Sequence, residues 1–105
     1  MIQFLKKIFS IGPKADLGEL IKKGAIVVDV RSRGEYAGGH IKGTINVPLE
    51  ELNGNLNKFK HKDHPIITCC ASGMRSGLAK GILKSKGYAT VHNGGSWHNL
   101  KTYCK

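Results

Sequence analysis

From Asp16 onward the apolar positions switch repeatedly between a helical period and short unbroken runs. Asp16 is placed to cap a short helix through Lys23, with Leu17, Leu20 and Ile21 as its apolar face. Ala25-Ile-Val-Val-Asp-Val30 has no polar alternation until Asp29, the pattern of a strand buried on both faces. Arg33 to Gly38 fits one helical turn, and Thr44 to Val47 a second strand stopped by Pro48. Leu49 to Phe59 reads as a helix weakened by Gly54 and three asparagines. Pro65 to Cys69 reads as a third strand. Arg75 to Lys86 is a helix with Leu78, Ile82 and Leu83 turned inward and Gly87 as its stop. Tyr88 to Val91 is a strand, and Ser96 to Tyr103 a closing helix with Trp97, Leu100 and Tyr103 along one side. Strands alternating with helices predict an α/β domain, a parallel sheet covered by helices. No internal repeat interrupts it.

The first eleven residues differ. Gln3, Lys6, Lys7 and Ser10 make a polar stripe, and Ile2, Phe4, Leu5, Ile8 and Phe9 fill the rest before Gly12-Pro13. The expected division is therefore an amphipathic segment over 1–13 and one globular domain over 14–105. After Lys7 the apolar run is too short for an export signal or a bilayer span. Packing on the domain is the expected use of the segment, with membrane-surface or partner contact as the alternative.

Composition adds a bias in charge. Seventeen Lys+Arg against seven Asp+Glu give a formal charge of +10 over 105 residues. Such a field attracts anions, whether small oxyanions, acidic proteins, nucleic acid or anionic lipid, and its sign does not choose among them. The lysines are spread along the chain and aromatic residues are only 7%, which argues against a nucleic-acid partner. Cys69, Cys70 and Cys104 form neither a CxxC pair nor an even framework. They suit a reactive thiol in the cytoplasm better than disulfides or zinc. His61, His64, His92 and His98 have no metal-ligand spacing.

The chemistry concentrates at residues 70–76. A buried strand runs into Cys70, then Ala71, Ser72, Gly73, Met74, Arg75 and Ser76 lead into a helix. Ligands of parallel sheets bind at the carboxyl ends of strands. A loop of small residues can turn its N–H groups inward as an anion cradle, and a helix N-terminus adds positive charge. That charge is worth roughly 0.3–1 kcal/mol, while one pKa unit is about 1.4 kcal/mol. Strong ionisation of Cys70 therefore needs the loop amides and Arg75 as well.

Asp29-Val-Arg31, Glu35-Tyr36, Gly39-His40-Ile41, Gly43, Asn46 and Pro48, then Cys70-Ala-Ser-Gly-Met-Arg-Ser76, then Gly94-Gly95 and Trp97, together resemble the rhodanese family in order and spacing. The resemblance implies a three-layer domain with a central, mainly parallel five-stranded sheet flanked by helices. It implies a sulfurtransferase in which the Cys70 thiolate takes the outer sulfur of thiosulfate or a similar donor. The resulting persulfide passes that sulfur to a thiol or cyanide, with no metal and no organic cofactor. Residues 71–76 would bind substrate, Arg75 through a donor's sulfonate oxygens. Asp29, Arg31, Glu35 and His40 would be structural support, with Arg31 and Glu35 pinning the loop after the first strand.

Three alternatives share these residues. Related folds hydrolyse phosphate esters with five residues between Cys and Arg. Four separate Cys70 from Arg75, but five separate Cys69 from it. Gly73 fits only the Cys70 frame. A protein-to-protein persulfide relay would use the same loop, with the basic surface docking an acidic partner. A non-catalytic binding module is the third, although Cys70 and Arg75 are both present.

Overall fold

The computed structural model describes residues 16–104. The expected amphipathic segment over 1–13 lies outside the described residues. Asp16 Oδ1 accepts the Glu19 N–H at 3.0 Å and caps α1, Leu17–Lys22. The strand β1, Ile26–Asp29, follows, and then α2, Arg33–Ala37. Ser32 and Glu35 close a reciprocal capping box on α2. After β2, Ile45–Asn46, a 3₁₀ segment spans Leu49–Lys58. β3 is Ile66–Cys70, α3 is Met74–Ser85 and β4 is Val91–Ser96. The chain closes with α4, Trp97–Leu100, and a 3₁₀ turn over Lys101–Tyr103.

The sheet order is β2-β1-β3-β4 and every pairing is parallel. Asp29 lies beside Cys69, and Thr68 beside Asn93. Side-chain alternation sends Val28, Val30, Ile66 and Cys70 to one face, where Leu52, Phe59, Ala79, Leu83 and Tyr88 cover them. Val27, Ile67 and Cys69 go to the other face, under Leu17, Leu20, Ile21, Trp97 and Leu100. Two covered faces make the helix-covered sheet that the pattern predicted and the three layers that the resemblance implied.

Three expectations are corrected. The five-stranded sheet is a four-stranded one among the described residues, because helical segments or loops occupy every stretch between the four strands. The last strand runs over Val91–Ser96, not Tyr88 to Val91. Tyr88 is instead a buried residue whose hydroxyl donates to the Phe59 carbonyl. His-Asn-Gly-Gly-Ser carries no β propensity, and it pairs because Gly94 lets two backbones come together. A Cβ at Gly94 would lie 2.8 Å from Ile67 Cγ2 and 2.9 Å from the Thr68 carbonyl oxygen. The expected helix over 49–59 is 3₁₀ and kinked at Asn55, next to Gly54.

Candidate functional site

β3 ends at Cys70 and α3 begins at Met74, so residues 71–73 turn the chain within three positions. Gly73 makes the turn possible. Its φ of +104° lies in the left-handed region, and it serves as the N-cap of α3. With that geometry the loop curls round the Cys70 side chain. The Gly73 N–H donates to Cys70 Sγ at 3.0 Å, and the Ser76 N–H at 3.3 Å. The thiol lies 3.4 Å from Ser76 Oγ. Ala71 and Ser72 form the exposed outer edge of the loop.

Burial alone disfavours a thiolate at Cys70. The Ser76 hydroxyl and the N–H groups of Ser76, Gly73 and Ser72 favour it, and the balance falls below the ordinary cysteine value. Cys69 is the reverse case. Its side chain packs on the opposite face, and burial, reinforced by Asp29, pushes its thiol up to about 12. The two adjacent thiols are thus shifted in opposite directions, and only Cys70 touches the loop amides.

A second polar cluster shapes the flank of the site. Arg31 is buried and grips Asp29, with Nη2 2.8 Å from Oδ2 and Nε 3.0 Å from both oxygens. It also donates to the carbonyls of Glu35, at 3.3 Å, and Gly39, at 2.7 Å, and its guanidinium lies over the Trp97 ring at 4.5 Å. Asn46 Nδ2 holds the carbonyls of Asp29 and Arg31, each at 3.0 Å.

The rhodanese-like domain model matches residues 14–101. The chain belongs to the rhodanese family. Over 69 residues it is 36% identical to the uncharacterized protein YqhL of Bacillus subtilis, covering 66% of this chain and 54% of that protein. The chain therefore spans about half the length of that relative. It is 36% identical to the thiosulfate sulfurtransferase PspE of Escherichia coli over 74 residues, 70% of this chain and 71% of PspE. Among solved structures, an E. coli rhodanese with anions superposes with a TM-score of 0.69 at 32% identity, covering 72% of this chain and 91% of that one.

Within this rhodanese domain the residues singled out from sequence form two groups. Gly73 and Ser76 each contact Cys70. Arg75 and Glu35 meet each other, with Arg75 Nη1 and Nη2 at 2.7 and 2.9 Å from the two carboxylate oxygens. Arg31 meets Glu35 in the loop after β1 through the Glu35 carbonyl, while the Glu35 carboxylate goes to Arg75. Arg75 then Ser32 hold the Glu35 carboxyl down to about 2. His40 stacks on Tyr36 with ring centroids 3.8 Å apart, and its Nδ1 lies 2.7 Å from the Tyr36 carbonyl. A cavity of about 880 Å³ between α1, β1, residues 41–45 and Tyr103 includes no residue of the 70–76 loop.

Two residues in the site carried no sequence signal. Thr68, fully buried in β3, donates to the Ser76 carbonyl at 2.8 Å. Asn93 touches both ends of the loop, through Ser76 Oγ at 2.6 Å and the Gly73 carbonyl at 3.1 Å. An asparagine before Gly-Gly reads as turn chemistry, which is why it escapes a search for reactive groups. Among the described residues no helix is long and apolar enough to cross a membrane.

Proposed function

We propose that this protein is a sulfurtransferase that carries sulfane sulfur as a persulfide on Cys70. The observation that carries the reading is the Gly73 and Ser76 N–H pair aimed at Cys70 Sγ. The Cys70 thiolate attacks the outer sulfur of thiosulfate. An S–S bond forms, the donor's own S–S bond breaks, and sulfite leaves with the electron pair. A thiolate or cyanide acceptor then attacks the outer sulfur of the persulfide, and Cys70 departs as thiolate. The same N–H groups favour the anion at both ends of the cycle, as preorganised dipoles do in oxyanion sites. No proton-transfer residue is required once the thiol ionises. The likeness to PspE supports thiosulfate as a donor.

Arg75 would meet a donor's sulfonate, but its guanidinium is held by Glu35. The donor must share that guanidinium or draw it away. Met74 and Leu78, one turn apart on α3, are 77% and 58% exposed. They favour a second reading, a persulfide relay in which another protein docks beside the loop. Free thiols at Cys69, Cys70 and Cys104 suit a reducing compartment such as the cytoplasm.

The test is incubation with thiosulfate and cyanide, following thiocyanate and the protein's mass. We expect thiocyanate and one added sulfur atom on wild type and Cys69→Ser, and neither on Cys70→Ser. Loss in Cys69→Ser with retention in Cys70→Ser would overturn the assignment. Loading only from a persulfidated protein, with none from thiosulfate, would select the relay.

A further inference from the structure

The hydroxyl of Ser76 has one proton and two neighbours that can accept it. Cys70 Sγ is 3.4 Å away and Asn93 Oδ1 is 2.6 Å away. The orientation of Asn93 is fixed by its other contacts. The Gly95 N–H needs an acceptor and finds Oδ1 at 2.9 Å. The Gly73 carbonyl, which already accepts the Gly77 N–H at 3.1 Å, can only accept, and Nδ2 donates to it at 3.1 Å. Ser76 therefore faces an oxygen and donates to it. Its proton is then committed, and towards Cys70 the hydroxyl offers only a lone pair. That suits a thiol, whose S–H donates to Ser76 Oγ. It does not suit a thiolate, which needs the Ser76 proton for itself.

We propose that Asn93 is a positioning residue that sets the ionisation of Cys70 by competing for the Ser76 hydroxyl proton. The inference rests on the reading of Cys70 as the sulfur carrier. When the thiol ionises, its proton goes to a base in solvent. The Ser76 O–H then rotates from Asn93 Oδ1 to Sγ, and Oδ1 keeps the Gly95 N–H. When an outer sulfur is attached, Sγ holds no charge, and the hydroxyl returns to Asn93. Asn93 thus favours the protonated and loaded forms over the free thiolate, while its Nδ2 keeps the Gly73 carbonyl in place. The ionisable groups whose fields reach Cys70 are Arg75 at the start of α3 and Cys69 beside it on β3, and neither contacts Asn93.

The experiment measures the pH dependence of Cys70 alkylation by iodoacetamide, read by peptide mass, in the full chain. Asn93→Leu removes the competing acceptor at an exposed position. It should raise the ionisation constant of Cys70 about three- to tenfold, the worth of one neutral hydrogen bond. If Asn93 served only as a scaffold for the loop, the same change would loosen the amides and lower that constant, which overturns the proposal. Asn93→Asp strengthens the competing acceptor and should shift the curve to higher pH. Because that shift also contains the direct effect of a new charge, it is repeated with Ser76→Ala. The shift should shrink at least threefold in ionisation constant without the hydroxyl, and an equal shift in both backgrounds overturns the proposal. Failure of both thiosulfate and a persulfidated protein to load Cys70 would remove the sulfur-carrier reading yet leave this coupling measurable.

Discussion

Gly73 is the residue on which the loop geometry turns, so Gly73→Ala should expose how the cradle works. At φ +104° and ψ −11° an alanine is in left-handed backbone, which costs an L residue roughly 1–2 kcal/mol. Space is not the obstacle, since the added Cβ would sit 3.5 Å from Gly95 Cα, an ordinary contact. The chain therefore has two responses. If the loop holds its shape, the conformational cost appears in full and lowers Tm by roughly 5–15 °C for a domain of this size. If the loop relaxes to negative φ, the Gly73 N–H leaves Cys70 Sγ. A hydrogen bond to a charged group is worth roughly 1.5–3 kcal/mol, so ionisation of Cys70 then weakens about tenfold or more. Thermal unfolding measures the first response, and the pH profile of Cys70 alkylation measures the second. Gly81→Ala, inside α3 with no atom near its added Cβ, is the control and should stabilise by roughly 0.5–1 kcal/mol. If Gly73→Ala changes neither Tm nor the alkylation profile while the control behaves as expected, the left-handed cap does not hold the cradle.

Gly94→Ala should cost roughly 1–3 kcal/mol in urea unfolding, because its Cβ would strike Ile67 Cγ2 and the Thr68 carbonyl. A variant of wild-type stability would show that β3 and β4 can part freely. Asp29→Asn leaves the buried Arg31 charge uncompensated and should cost roughly 3–5 kcal/mol by the same measurement. In native protein at about pH 8, Cys69 should resist alkylation while Cys70 reacts, since burial holds the Cys69 thiol up near 12. Equal rates would contradict the placement of the two side chains on opposite faces. Glu35 is depressed to about 2 from an ordinary 4.5, so its stabilising effect is present above about pH 4.5 and is lost as pH falls through about 2. The stability difference between wild type and Glu35→Gln should therefore shrink over that acidic window. A difference that stays constant from about pH 6 to about pH 2 would show that the carboxylate charge is not what matters.

The legible parts of the fold were those where burial and periodicity agree. Ile26–Asp29 and Ile66–Cys70 are apolar runs covered on both faces, and the α3 stripe holds at Ile82 and Leu83, although Leu78, expected inward, is exposed. The loop was legible because its demands are chemical: small residues, a glycine able to take positive φ, and a helix start. What stayed hidden depends on contacts between distant segments. Val91–Ser96 is a strand without strand residues, held by a close approach that only the fold creates. The Glu35–Arg75 pair joins positions forty residues apart, and nothing in the local pattern marks it. Asn93 was hidden for the same reason, since its partners Gly73 and Ser76 belong to another element.

The adjacent cysteines illustrate how one residue of register becomes a chemical difference. In a strand, neighbours point to opposite faces, so a Cys-Cys pair at the end of β3 cannot send both thiols to one site. Cys69 follows Ile67 into the layer under Leu100, where burial and then Asp29 disfavour a thiolate more than Arg31 favours it. Cys70 turns the other way, at the point where pairing with β4 shifts register after Thr68. Cys70 still pairs with Ser96 of β4, and only beyond it does the chain leave the sheet, so that the N–H groups of residues 73 and 76 are available to the sulfur rather than to a neighbouring strand. The spacing of five between Cys69 and Arg75 that a phosphatase frame requires is thus present in sequence and absent in space. Loop length selects the chemistry only after the strand has selected which cysteine faces the loop.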